Sequence, residues 1–136
     1  MGATRAARAL PLRYTSRQFM DYKETDVWQH SKTLAVAAYR ATAHFPDDEK
    51  YGMCAQMRRA AVSIPSNVAE GEGRGSTRDH LRFLALARGS LYELETQIAI
   101  SIELGYLEAG TLQPEIKRAA QVINGTIRSL AERLSG

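Results

Sequence analysis

The sequence predicts an all-α fold, an antiparallel up-down-up-down four-helix bundle. Apolar residues recur three and four positions apart along most of the chain, the period of an amphipathic helix, and no segment alternates strictly as a half-buried strand does. Aromatic residues make up only 7% of the composition, whereas Ala, Leu, Arg and Glu, all good helix formers, are abundant. Short connections rich in Pro or Gly separate the periodic segments, so successive helices turn back on one another. At 136 residues the chain can bury one sizeable core and is short for two, so residues 22–136 read as one domain.

The first helix is expected over residues 26–44, with Val27, Leu34, Ala38, Ala41 and Phe45 on one stripe, Thr25 or Asp26 as the cap and Pro46 as the stop. The second opens near Asp47, Asp48 and Glu49, acids suited to the positive end of a helix dipole, and runs to about Glu70. Its stripe of Met53, Met57, Ala60, Ala61, Ile64 and Val68 continues through Pro65, which predicts a kinked but continuous helix. Ser76 caps the third, near 77–104, with Asp79 placed to reach back as in a capping box. Leu84, Ala87, Leu91, Leu94, Ile98 and Ile102 form its inner seam, and Gly105 sits where a C-terminal glycine belongs. The fourth begins at Thr111, tolerates Pro114 in its first turn, and carries Leu112, Ile116, Ala119, Ile123, Ile127, Leu130 and Leu134 inward.

Gly71, Gly73 and Gly75 fall between the second and third helices. No Gly-Lys-Ser/Thr follows them and no strand precedes them, so they read as a turn and not as a phosphate-cradling loop.

The net charge of +3 is unevenly spread. Residues 1–20 hold Arg5, Arg8, Arg13 and Arg17 and no acid, leaving 14 basic against 15 acidic residues in the remainder. Residues 1–21 are therefore expected to be a disordered basic arm; a transit-like segment and a true start at Met20 are the alternatives. Deletion of residues 1–19 is expected to leave folding unchanged, because the arm adds nothing to the helical stripes.

The single Cys54 cannot form an internal disulfide and suits a reducing, cytoplasmic compartment, and no apolar run approaches the roughly 20 residues of a membrane span. Catalytic and metal constellations are not found. A di-metal bundle needs Glu-x-x-His, yet His30, His44 and His80 have no Glu three residues before them. Glu93 and Glu95, two apart, face different directions on a helix. Cys54 has no evident partner base, and Asn124-Gly125-Thr126 matches a glycosylation sequon inside a helix, where the match is accidental. The expectation is a non-enzymatic protein without metal or cofactor.

RRAAVSIPSNVAEGEGR at 58–74, followed by FLALARGSLYELETQI at 83–98, resembles a bacterial four-helix-bundle family that includes proteins encoded in intervening sequences of large-subunit ribosomal RNA genes. The resemblance extends from about Tyr22 to the end of the fourth helix, and SIPSNVAEG and ARGSLYELE carry its specificity. Proteins of this family are similar in fold to the accessory variability determinant of diversity-generating retroelements, a barrel-like homopentamer that binds nucleic acid and a reverse transcriptase. The resemblance implies a ring-like homo-oligomer, a pentamer, that binds RNA or DNA.

Helical angles nominate the residues for these roles. An oligomer interface is expected at Ser63, Ser66 and Glu70 of the second helix and Leu86, Gly89, Glu93 and Ile100 of the third, because outward Leu, Ile and Gly are odd on a monomer. Arg58, Arg59, Arg74, Arg78 and Arg82 are the candidate nucleic-acid patch, repeated around the oligomer so that weak phosphate contacts act together. Asn67, Arg88 and Glu95 are read as structural polar groups, with Glu95 or a group on the second helix as the partner of Arg88. A protein-interaction scaffold without nucleic-acid binding is the alternative, in which the arginines are a solvated charged face.

Overall fold

A computed structural model describes residues 21–135; of the arm expected over residues 1–21, all but Asp21 lies outside the described residues. Four helices carry the fold: α1 Asp26–Thr42, α2 Met53–Glu72, α3 Thr77–Glu103 and α4 Gln113–Ser135. Each packs on the next and α4 closes on α1, while diagonal helices do not meet, so the chain forms a four-helix bundle.

Thr25 starts α1, its hydroxyl oxygen accepting from the Trp28 N–H at 3.2 Å. Between α1 and α2 the structure departs from expectation. Asp47–Glu49 form a separate 3-10 turn, and α2 begins only at Met53. Gly52, at φ −107° and ψ −114°, interrupts the helix and has no side chain with which to cap it. Glu49 supplies the cap instead: its carboxylate accepts from the Met53 N–H at 2.9 Å and from the Tyr106 hydroxyl at 2.8 Å. These bonds, the backbone one first, hold the Glu49 carboxyl below its ordinary pKa, and the same carboxylate raises that of Tyr106. Phe45 packs on the Tyr106 ring at 5.3 Å and fastens the loop to the end of α3.

Helix α2 passes through Pro65 without interruption and ends at Gly73, whose N–H reaches the Ala69 and Glu70 carbonyls. The glycines on either side of Gly73 serve different ends. Gly75 takes the left-handed conformation at φ +85°, whereas Gly71 is a point of close approach. A Cβ there would lie 2.9 Å from Phe83 Cβ and 3.2 Å from the His80 carbonyl oxygen. The Ser76 hydroxyl accepts from the Asp79 N–H at 3.1 Å and caps α3, while the Asp79 carboxylate turns towards Arg82, 3.6 Å away, and not back to the cap. At the other end the Tyr106 N–H bonds Ser101 O and the Gly105 N–H bonds Ile102 O, a Schellman closure with Gly105 at φ +83°. Leu112 holds φ +66°, outside helical space, so α4 starts at Gln113 and not at Thr111.

The core follows the expected stripes except at Leu134, which lies in the last turn of α4 and is 45% exposed. Leu34, Met57, Ile64, Leu84, Leu91, Leu94 and Ile123 are sealed from solvent, and each helix adds one fully buried alanine, Ala38, Ala61, Ala87 and Ala119, which lets the axes approach. Buried hydroxyls are satisfied locally, Ser31 donating to Val27 O and Thr42 to Ala38 O.

Candidate nucleic-acid and assembly surface

The bundle divides the five candidate arginines. Arg58 is turned to α1: its Nε donates to Thr42 Oγ1 at 2.9 Å, its Nη2 to the Tyr39 carbonyl at 3.1 Å, and its guanidinium lies over the Tyr39 ring. It caps the C-terminal end of α1, where a cation is favoured. Arg59 is exposed on the α2–α3 side, in a cleft of ≈ 300 Å³ lined also by Gln56, Ala60, Ser63, Ser90 and Glu93. The other three stand at the far end of α2, roughly 20 Å away at 1.5 Å per residue, so the five do not form one patch.

Arg74, Arg78 and Arg82 gather at the α2–α3 corner. Arg74 and Arg82 both lie over the ring of Phe83, at 4.7 and 4.5 Å from its centroid, and Phe83 is thereby only 9% exposed. Each has a carboxylate beside it: Glu70 Oε2 is 3.3 Å from Arg74 Nη2, and Asp79 Oδ1 is 3.6 Å from Arg82 Nε. Arg78 is exposed and, among the described residues, has no carboxylate within ion-pair distance. Glu72 faces His80 at 3.6 Å. With Arg133 beside His80, four arginines stand against three carboxylates, and most of the corner's positive charge is compensated. His80 adds little charge, because burial lowers its pKa, and of its neighbours Arg133 lowers it further while Glu72 works the other way.

The outer face of α2 and α3 is mixed. Leu86 and Ile100 are 47% and 43% exposed, and a Cβ on Gly89 between them would meet nothing within 4 Å. Ser66, Glu70 and Glu93 are exposed as expected. Ser63 is not free for a partner. Its hydroxyl is 2.8 Å from that of Ser90 across the helix seam and accepts from Asn67 Nδ2, because Ser63 faces α3 and not outward. Asn67 therefore reaches back one turn to Ser63, and it is Glu70, through Arg74, that ties down the glycine turn.

The expected partner of Arg88 is wrong. Arg88 donates to Asn124 Oδ1 of α4 at 3.1 Å, while Glu95 is exposed. Arg88 and Glu95 are two helical turns apart, and Arg88 lies on the flank of α3 that meets α4, so a neighbour on α4 is nearer than any on α3 or α2. Asn124, dismissed above as an accidental sequon, is that neighbour. Sequence reading also missed Phe83, quoted only as the start of the second resembling segment, although its place directly after Arg82 was a signal.

The chain matches the family described as 23S rRNA-intervening sequence protein over residues 23–128, which takes in α1, α2 and α3 whole and α4 as far as Arg128. The chain belongs to this family. A search of curated proteins returned no match. The matched region covers SIPSNVAEG and ARGSLYELE, so the α2–α3 corner, the seam and the outer face all lie within the family's domain. Among the described residues no helix is long and apolar enough to cross a membrane.

Proposed function

We propose that this protein is a non-enzymatic helical bundle of the cytoplasm that self-associates and binds RNA or DNA through the arginines of the α2–α3 corner. The observation that supports binding is the cluster itself: Arg74 and Arg82 held on Phe83, with Arg78 uncompensated one turn before Arg82. One copy offers little net charge, so useful affinity depends on repetition, several weak corners acting together in an oligomer. Self-association is supported by the exposed Leu86 and Ile100 flanking Gly89. A closed ring needs two unlike patches per subunit, and the exposed Val36 and Tyr39 of α1 and Val62 of α2 supply a second. Five subunits are inferred from the resemblance to the accessory determinant alone.

A scaffold that binds protein and no nucleic acid is the second reading, favoured by the three carboxylates that offset most of the corner's charge. Filter binding with structured RNA and with DNA at two salt concentrations separates the two. In the triple variant Arg74→Gln, Arg78→Gln, Arg82→Gln the salt slope should shrink by roughly one unit per lost phosphate contact, with affinity falling alike for all sequences. A triple variant that binds like the parent leaves the scaffold reading.

A further inference from the structure

We propose that the α2–α3 corner recognises unpaired nucleotides, a base stacking on the guanidinium plane of Arg74 or Arg82 while Arg78 meets a neighbouring phosphate. The assignment rests on the nucleic-acid role proposed above and adds the class of nucleic acid. Its basis is how the two arginines are held. Phe83 lies under both guanidinium carbons, at 4.7 and 4.5 Å from its ring centroid, and Glu70 and Asp79 each approach one nitrogen atom. The side chains remain 43% and 59% exposed, so each keeps a large part of its surface open to solvent.

Compensated charge makes these arginines poor magnets for phosphate. What they retain is a flat, weakly hydrated surface. A duplex presents phosphates outward and keeps its base faces inside the stack, so it gains little from such a surface. An unpaired nucleotide exposes a base face, and bases stack on arginine planes as they do on aromatic rings. Arg78 supplies the charge the pair lacks, about 6 Å from Arg82 across one helical turn. Both guanidinium groups rest on Phe83, which is itself packed against Gly71, so less side-chain freedom is lost on binding than from a free arginine.

The test uses the full chain, a labelled oligouridylate and a duplex of the same length, titrated at one low salt concentration against the parent and Arg74→Lys/Arg82→Lys. The variant keeps both charges and removes both planes. The parent should bind the single strand at least tenfold more tightly than the duplex, and the variant should lose roughly tenfold per base stack lost on the single strand while leaving duplex binding unchanged. Equal affinity of the parent for both probes, with the variant matching it, would overturn the inference and leave phosphate contact as the whole of the binding. Absence of binding to either probe would remove the nucleic-acid role as well. Should the double variant melt early, Arg82→Lys alone serves, since Arg82 is the more exposed of the two.

Discussion

At His80 burial outweighs the nearby carboxylate. The imidazole sits against Gly71, with Glu72 at 3.6 Å, yet its pKa is lowered from the ordinary 6.5, chiefly because a half-buried ring resists charging. The unfolded chain therefore takes up this proton first as pH falls. Stability should be constant well above 6.5, decline as pH passes from 6.5 down through the depressed folded value, and level off below it. Urea midpoints of the parent and His80→Asn across that range check the sign: the parent should lose more than the variant, and parallel curves would contradict it. Arg88 offers a second test at this scale. Arg88→Gln and Asn124→Ala should each cost about 1 kcal/mol and combine non-additively, as partners in one hydrogen bond do. Glu95→Gln should change stability by less than about 0.5 kcal/mol, since an exposed side chain without a partner contributes little.

Among the elements, the two glycines of the α2–α3 hairpin behave in opposite ways although both lie within helices. Gly71→Ala places a methyl 3.2 Å from the His80 carbonyl oxygen and 2.9 Å from Phe83 Cβ, and a backbone oxygen cannot step aside. Overpacking of about 1–3 kcal/mol should exceed the helix-propensity gain of at most about 1 kcal/mol, so thermal melting should fall. Gly89→Ala meets open space and should keep that gain whole. Helix boundaries were legible at this scale where the signal is local. Thr25, Ser76 and Gly105 do what their residue types announce, because a cap bonds within a few residues of itself. The start of α2 was misplaced because its cap, Glu49, lies three residues before Gly52 and is steadied by Tyr106 from the far end of α3.

For the molecule as a whole, the exposed apolar residues matter more than the charge. Gly89→Leu puts bulk on the open face beside Leu86 and Ile100 and removes nothing from the core. Light scattering should show a shift towards smaller species at micromolar concentration while far-ultraviolet circular dichroism is retained. A parent that is already monomeric there would count against self-association through this face. The match over residues 23–128 gives the family without its assembly, so this experiment bears on a property the fold alone does not decide.

By itself the sequence determined the helix count, the family, and most of the helix ends and inward stripes. Those features depend on the 3.6-residue period and on bonds between near neighbours, which any reader of the chain can follow. The roles of the polar residues were decided only in the tertiary structure. Arg58 caps α1 from 16 positions away, Ser63 pairs with Ser90 across 27, and Arg88 reaches Asn124 across 36. Which side chains meet at such separations depends on how two helices are rotated and slid against each other, and core packing sets both. Helical angles can say that a residue lies on a flank; they cannot say what lies opposite it.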